Sequence, residues 1–146
     1  MVAQLYGLQG DALRETPQAE AWKQVRSIRV HGLIDAMLES FLVRQIHQAE
    51  ADSVELLIFE LDSQNGQLLA SINLASAIAE LNPQRIRTVA YIADKAFSGS
   101  AVVAMACDEV YLTPTARWGS ASPSTPREAA QFERSPDKVT QLKAAL

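Results

Sequence analysis

Apolar and polar positions along this chain fall into short blocks of period two and longer blocks of period 3.6. Ser27-Ile28-Arg29-Val30-His31 alternates as a short strand, and Gly32 breaks it. From about Asp35 to Glu50, residues Leu38, Phe41, Leu42, Ile46 and Ala49 share one helical face, and Asp35 is placed to cap the helix. The run from Val54 to Leu61 is almost continuously apolar, which predicts a central strand covered on both faces.

After the turn Asp62-Ser63-Gln64-Asn65-Gly66, a second amphipathic helix is expected from Gln67 to about Leu81. Its buried stripe is Leu68, Ile72, Ala75 and Ala79, and Asn82-Pro83 stops it. Thr88-Val89-Ala90-Tyr91-Ile92-Ala93 is β-branched and aromatic and reads as a third strand. A small-residue helix follows from Ser98, then strands at Glu109 to Leu112 and near Arg117 to Ser120. Residues 1 to about 20, with Gly7, Gly10 and Pro17, read as an irregular arm ahead of a domain over 21–146. Ser122 to Pro136 is proline-bearing and polar, and a last helix is expected from Pro136. Strand, turn and helix thus repeat, with crossovers long enough to make neighbouring strands parallel, so the fold class is α/β.

Composition narrows the chemistry. A chain of 146 residues, 48% hydrophobic, can bury one substantial core. Its 13 basic and 17 acidic residues give a net charge of −4 with no basic cluster, which argues against a nucleic-acid surface. With two histidines and one cysteine there is no metal-ligand set and no disulfide, and Cys107 reads as a small core residue. No run approaches the ~20 apolar residues that span a bilayer, and no signal-peptide pattern opens the chain, so it reads as a soluble domain.

Ala96-Phe97-Ser98-Gly99-Ser100-Ala101 is the most informative stretch. It sets a serine at a strand-to-helix turn, where backbone N–H groups point at whatever lies above. Ser98 is placed either as a nucleophile or as an ordinary N-cap, and local pattern alone favours the cap.

In this order the elements resemble the Clp-protease-like, crotonase-type superfamily, and within it the NfeD-related and signal-peptide-peptidase-A-like membrane-associated serine proteases. The matching pieces are His31-Gly32-Leu33-Ile34, then Leu57 through Asp62-Ser63-Gln64-Asn65-Gly66, and then Val89 to Pro123. The last includes the serine turn, Cys107-Asp108-Glu109-Val110-Tyr111-Leu112-Thr113-Pro114 and Trp118-Gly119-Ser120-Ala121. The resemblance implies a spiral of repeated strand-strand-helix units and a nucleophilic Ser98. A serine needs a base, and both histidines, His31 and His47, precede Ser98, unlike the downstream histidine of the Clp branch. The NfeD-related branch uses a Ser-Lys pair instead, which carries over to Lys138 in Pro136-Asp137-Lys138-Val139-Thr140, with Lys143 as fallback. For Lys138 to act as a base, Val139, Leu142 and Trp118 would have to desolvate it.

The resemblance also implies that amides of Gly99 and of the Asn65-Gly66 turn hold an oxyanion. There the chain departs from the family, with Gln64-Asn65-Gly66 in place of Pro-Gly-Gly, and Asn65 is expected to tolerate a left-handed conformation. The chain also stops soon after the lysine segment, which reads as a domain cut short at its C-terminus. The implied activity is cleavage of a hydrophobic peptide or membrane-protein segment by a homo-oligomer, without cofactor or metal. A competing reading is a catalytically degenerate copy serving as scaffold or binding module. Acyl-CoA chemistry of the crotonase branch would need Glu109 or Glu128 as acid or base.

Overall fold

The computed structural model describes residues 22–121. The arm over 1–20, the proline-bearing stretch and the last helix expected from Pro136 lie outside them. The elements run in the order β1 (Val25–His31), α1 (Ala36–Ala51), β2 (Leu56–Ser63), α2 (Leu68–Ala79), β3 (Arg87–Phe97), α3 (Gly99–Met105), β4 (Glu109–Leu112) and β5 (Arg117–Gly119). All strand pairs are parallel, in spatial order β1-β2-β3-β4, while β5 pairs with the far end of β3.

That strand order decides which face is covered. Parallel crossovers are right-handed, so steps taken always in the same direction place every connecting helix on the same side of the sheet. On that side Ile28 and Val30 of β1, Leu57, Phe59 and Leu61 of β2, and Ala90 and Ile92 of β3 are buried with Leu42, Ile46, Leu74, Ile78 and Val103 of the helices. Each large side chain buried in this way contributes about 1.5–3 kcal/mol. The opposite face carries Ser27, Arg29, Glu60 and Tyr91, and none of the described helices covers it. The expectation that β2 is covered on both faces is therefore corrected. Its residues alternate buried and half-buried, because Leu56 and Ile58 point to the uncovered side.

Helix boundaries follow the caps. The Asp35 carboxylate accepts from Leu38 N at 2.9 Å and starts α1 as expected. The stripes differ in detail. Phe41 is exposed on α1 and Ala79 on α2, whereas Ala70, Ser71, Leu74 and Ile78 join Ile72 and Ala75 in facing inward. An almost wholly apolar helix gives periodicity little contrast from which to choose a face. Helix α2 also ends at Ala79, ahead of Leu81, and the Asn82 side chain then accepts from Gln84 N in a turn of its own.

Strand β3 runs five residues beyond Ile92, longer than its β-branched segment suggests. Its pairing with β2 passes from Leu61↔Ile92 to Ser63↔Ala96, so β3 advances four residues while β2 advances two. The extra length carries Lys95–Phe97 beyond β4 and onto β5. The start of β3 is pinned from the other direction. Asp108 accepts from both Thr88 N and Thr88 Oγ1 at 2.7 Å, and its own N–H donates to Thr88 Oγ1 at 2.9 Å. Asp108 is thus a structural clamp between β3 and the α3–β4 turn.

Candidate functional site

Ser98 is the first residue beyond β3 and occupies the N-cap position of α3, yet its side chain makes no capping bond. The cap reading of this serine is set aside by that geometry. Its backbone lies at φ 55°, ψ −122°, a conformation that costs a non-glycine residue about 1–3 kcal/mol and that collects at functional sites. The turn is held from both ends. Ser98 N donates to Gly119 O at 3.0 Å, and Ser98 O accepts from Ala101 N at 3.0 Å and Val102 N at 3.2 Å. The half-buried serine lines a cleft of about 600 Å³ with Gln64, Asn65, Lys95, Phe97, Arg117 and Ser120.

The β2–α2 turn lies beside it. Ile34 N donates to Asn65 O at 3.3 Å and Gln67 N donates to Ile34 O at 2.8 Å, which makes a parallel bridge between Ile34 and Gly66. In such a bridge the central residue's own N–H faces away from the partner, so the Gly66 N–H points to the β3 side, where Ser98 lies. Ser63 Oγ supports the turn from below, 2.5 Å from Gly32 O and 2.9 Å from Asn65 O.

Neither Asn65 nor Gly66 has a positive φ, so no left-handed backbone is asked of the asparagine. That expectation is corrected, and Gly66 is required for a different reason. A Cβ on Gly66 would collide with Ser71 Oγ, and one on Gly99 would collide with the same oxygen and stand 3.1 Å from Gly66 Cα. The two turns are packed backbone to backbone with Ser71 wedged between them. Ser71 is fully buried, and its hydroxyl has no hydrogen-bond partner among the described residues, an arrangement that costs about 1–3 kcal/mol.

Lys95 is the lysine that the described structure brings to the cleft. Its Nζ lies 2.8 Å from Asp94 Oδ2 and 3.2 Å from Asp62 Oδ1, and Asp62 Oδ2 is 3.6 Å from His31 Nε2. Hydrogen bonding first to Asp94 and then to Asp62 holds the Lys95 pKa above the usual lysine value. It is an ammonium at neutral pH and has no proton vacancy to offer Ser98. His47 stands on α1, exposed and 3.3 Å from Glu50. Lys138, Lys143, Val139, Leu142 and Glu128 lie outside the described residues. Glu109 accepts from the Tyr111 hydroxyl at 2.7 Å and from Arg87, which hold its carboxyl below the usual range and commit it to an ion pair away from the cleft.

Of the residues expected at the site, Ser98, Gly99, Asn65 and Gly66 are therefore brought together. Ser71, Lys95, Arg117 and Ser120 are additions. The spacing of Lys95 and Ser98 around a strand end could have pointed to the lysine, whereas Ser71 lies within an apolar stripe that gives no such signal.

Residues 24–136 match a family described as "NfeD1b, N-terminal domain". The chain belongs to this family. The chain is 30% identical over 105 residues to the "Membrane protein NfeD1b" of Bacillus subtilis (strain 168), a match covering 71% of this chain and 23% of that relative. The chain thus spans less than a quarter of that NfeD1b protein's length. Among solved structures, a serine-to-alanine mutant of the 1510-N membrane-bound stomatin-specific protease aligns at TM-score 0.67 and 20% identity, over 84% of this chain and 63% of that one. A mutant of the same protease in complex with a substrate peptide gives 0.66 and 21%, over 84% and 60%. A ClpP1 mutant from Listeria monocytogenes gives 0.64 and 18%, over 82% and 70%. These likenesses establish the Clp-protease-like α/β spiral for this NfeD1b-family chain.

Proposed function

We propose that the domain is a serine peptidase-like hydrolase in which Ser98 is the nucleophile. The observation that carries the reading is the strained Ser98 backbone, whose hydroxyl makes no capping bond and lines the cleft beside the Gly66 and Gly99 turns. In this mechanism Lys138, carried over from the family resemblance, takes the hydroxyl proton as Oγ bonds to the peptide carbonyl carbon. The carbonyl electron pair moves to its oxygen, and the amides of Gly66 and Gly99 stabilise that charge. Collapse breaks the C–N bond and returns the lysine proton to the leaving amine, after which water releases the acyl group by the same steps.

The proposed substrate is an apolar peptide or membrane-protein segment, in keeping with the substrate-peptide complex of the membrane-bound protease and with the membrane relative. The exposed Val25, Tyr91 and Tyr111 on the uncovered sheet face support a homo-oligomer, for which light scattering should report a dimer or larger. A second reading, a non-catalytic scaffold, is favoured by one observation. The lysine seen in the cleft is neutralised by two carboxylates. A fluorophosphonate probe separates the two readings. The hydrolase reading expects labelling at Ser98 that Ser98→Ala and Lys138→Ala each abolish, whereas an unlabelled wild type favours the scaffold.

A further inference from the structure

We infer that Ser71 is a positioning residue that fixes how the Gly66 and Gly99 turns, and so their amides, are oriented, an inference that rests on the hydrolase reading. Three segments meet at its Oγ. They are the β2–α2 turn at Gly66, the first turns of α2, and the β3–α3 turn at Gly99. The oxygen occupies the space that a Cβ on either glycine would claim, and the two glycines themselves nearly touch, with Gly66 Cα 3.1 Å from where a Gly99 Cβ would stand.

Packing alone does not account for a serine there. Its hydroxyl is fully buried with no partner among the described residues, so an alanine would remove a desolvated polar group and keep the Cβ. A residue kept only for packing would therefore tolerate alanine at no loss of stability. The distinguishing property of serine is volume at one point, the oxygen packed against both glycines on the side where each lacks a Cβ. Without that oxygen the turns can shift into the vacated space beside them, and the two amides no longer converge on a common oxyanion. The hydrogen-bond direction on which such stabilisation depends is then lost, although Ser98 and its base are untouched.

The test is saturation kinetics of phosphonate labelling on the full chain, with thermal midpoints measured alongside. For Ser71→Ala the maximal labelling rate should fall about tenfold or more, since a misplaced donor costs on the order of 10²-fold. The half-saturating probe concentration, the midpoint of the pH–rate profile and the thermal midpoint should hold, or the last should rise. Ser71→Cys, which refills the gap, should recover most of the lost rate. Wild-type rates in Ser71→Ala would overturn the positioning role and leave the hydrolase reading standing. Rates that merely follow thermal midpoints across the two variants would overturn it as well. A wild type that does not label overturns the hydrolase reading, and this inference with it.

Discussion

The main-chain N–H of Ser98 donates to the carbonyl of Gly119 at 3.0 Å. This bond ties the serine turn to β5 and also spends the serine's own amide, so in the hydrolase reading an oxyanion would draw on the next amide, Gly99, and on Gly66. Gly119 has φ +133°, and a Cβ added there would meet nothing within 4 Å. Gly119→Ala therefore carries backbone strain without a clash, about 1–3 kcal/mol. Thermal denaturation should register that loss, and phosphonate labelling of Ser98 should slow with it. Unchanged labelling in a destabilised variant would mean that β5 does not hold the serine turn.

Gly66 and Gly99 should respond differently to the same second substitution. In Gly66→Ala the new methyl meets Ser71 at its hydroxyl, whereas in Gly99→Ala it meets both that hydroxyl and Ser71 Cβ, the latter at 2.7 Å. Overpacking of this kind costs about 1–3 kcal/mol. Adding Ser71→Ala should restore much of the stability of Gly66→Ala and little of that of Gly99→Ala. A double-mutant cycle by urea denaturation measures the difference, and equal rescue of both would contradict the packing described.

Lys95 should fail as a base. Removing a general base costs about 10²–10⁴-fold, so Lys95→Met should slow labelling less than about tenfold while Lys138→Ala abolishes it. The same residue predicts an alkaline effect. Its pKa is raised in the folded protein above the ordinary lysine value of 10.5, so its contribution to stability is fully present below that value and is lost as pH rises through the higher folded one. Melting curves above pH 10.5 should show wild type losing an advantage over Lys95→Met that it holds at neutral pH.

Cys107 should be inert in the native protein. Burial, followed by the neighbouring Asp108 charge, pushes its thiol up to about 12, and its S–H lies 3.6 Å from Val103 O. At pH 8 roughly one thiol in ten thousand is then ionised. Iodoacetamide should react slowly with native protein and quickly in denaturant. Rapid native alkylation would show that the α3–β4 turn opens readily.

Much of this fold is legible in the sequence because its cues are local. The Asp35 cap, the alternation of Ser27 to His31 and the turn ahead of Gln67 each act within a few residues. The uncovered sheet face is not local. Leu56 and Ile58 read as core because an apolar run does not state in which direction the next strand will step, and that direction alone decides where the helices lie. At the site, Ser98 and Gly99 stand out through their position between strand and helix. The wedge at Ser71 does not, since it exists only where α2 meets two turns that are distant from each other in sequence. The reason for Gly66 was likewise hidden. A glycine in a turn suggests a positive φ, and here it is required by a close approach of backbones.

Strand β3 pairs with β2, β4 and β5, and only the first of these precedes it in the chain. A ribosome therefore releases Ser98 well before the segment that fixes it. The start of β3 awaits Asp108 for its clamp, and the serine turn awaits Gly119 for its hydrogen bond. A nascent chain that ends between these residues lacks the hydrogen bond from Ser98 N to Gly119 O. In the hydrolase reading, any reactivity is thereby deferred until the polypeptide has grown past β5, a safeguard written into the order of synthesis.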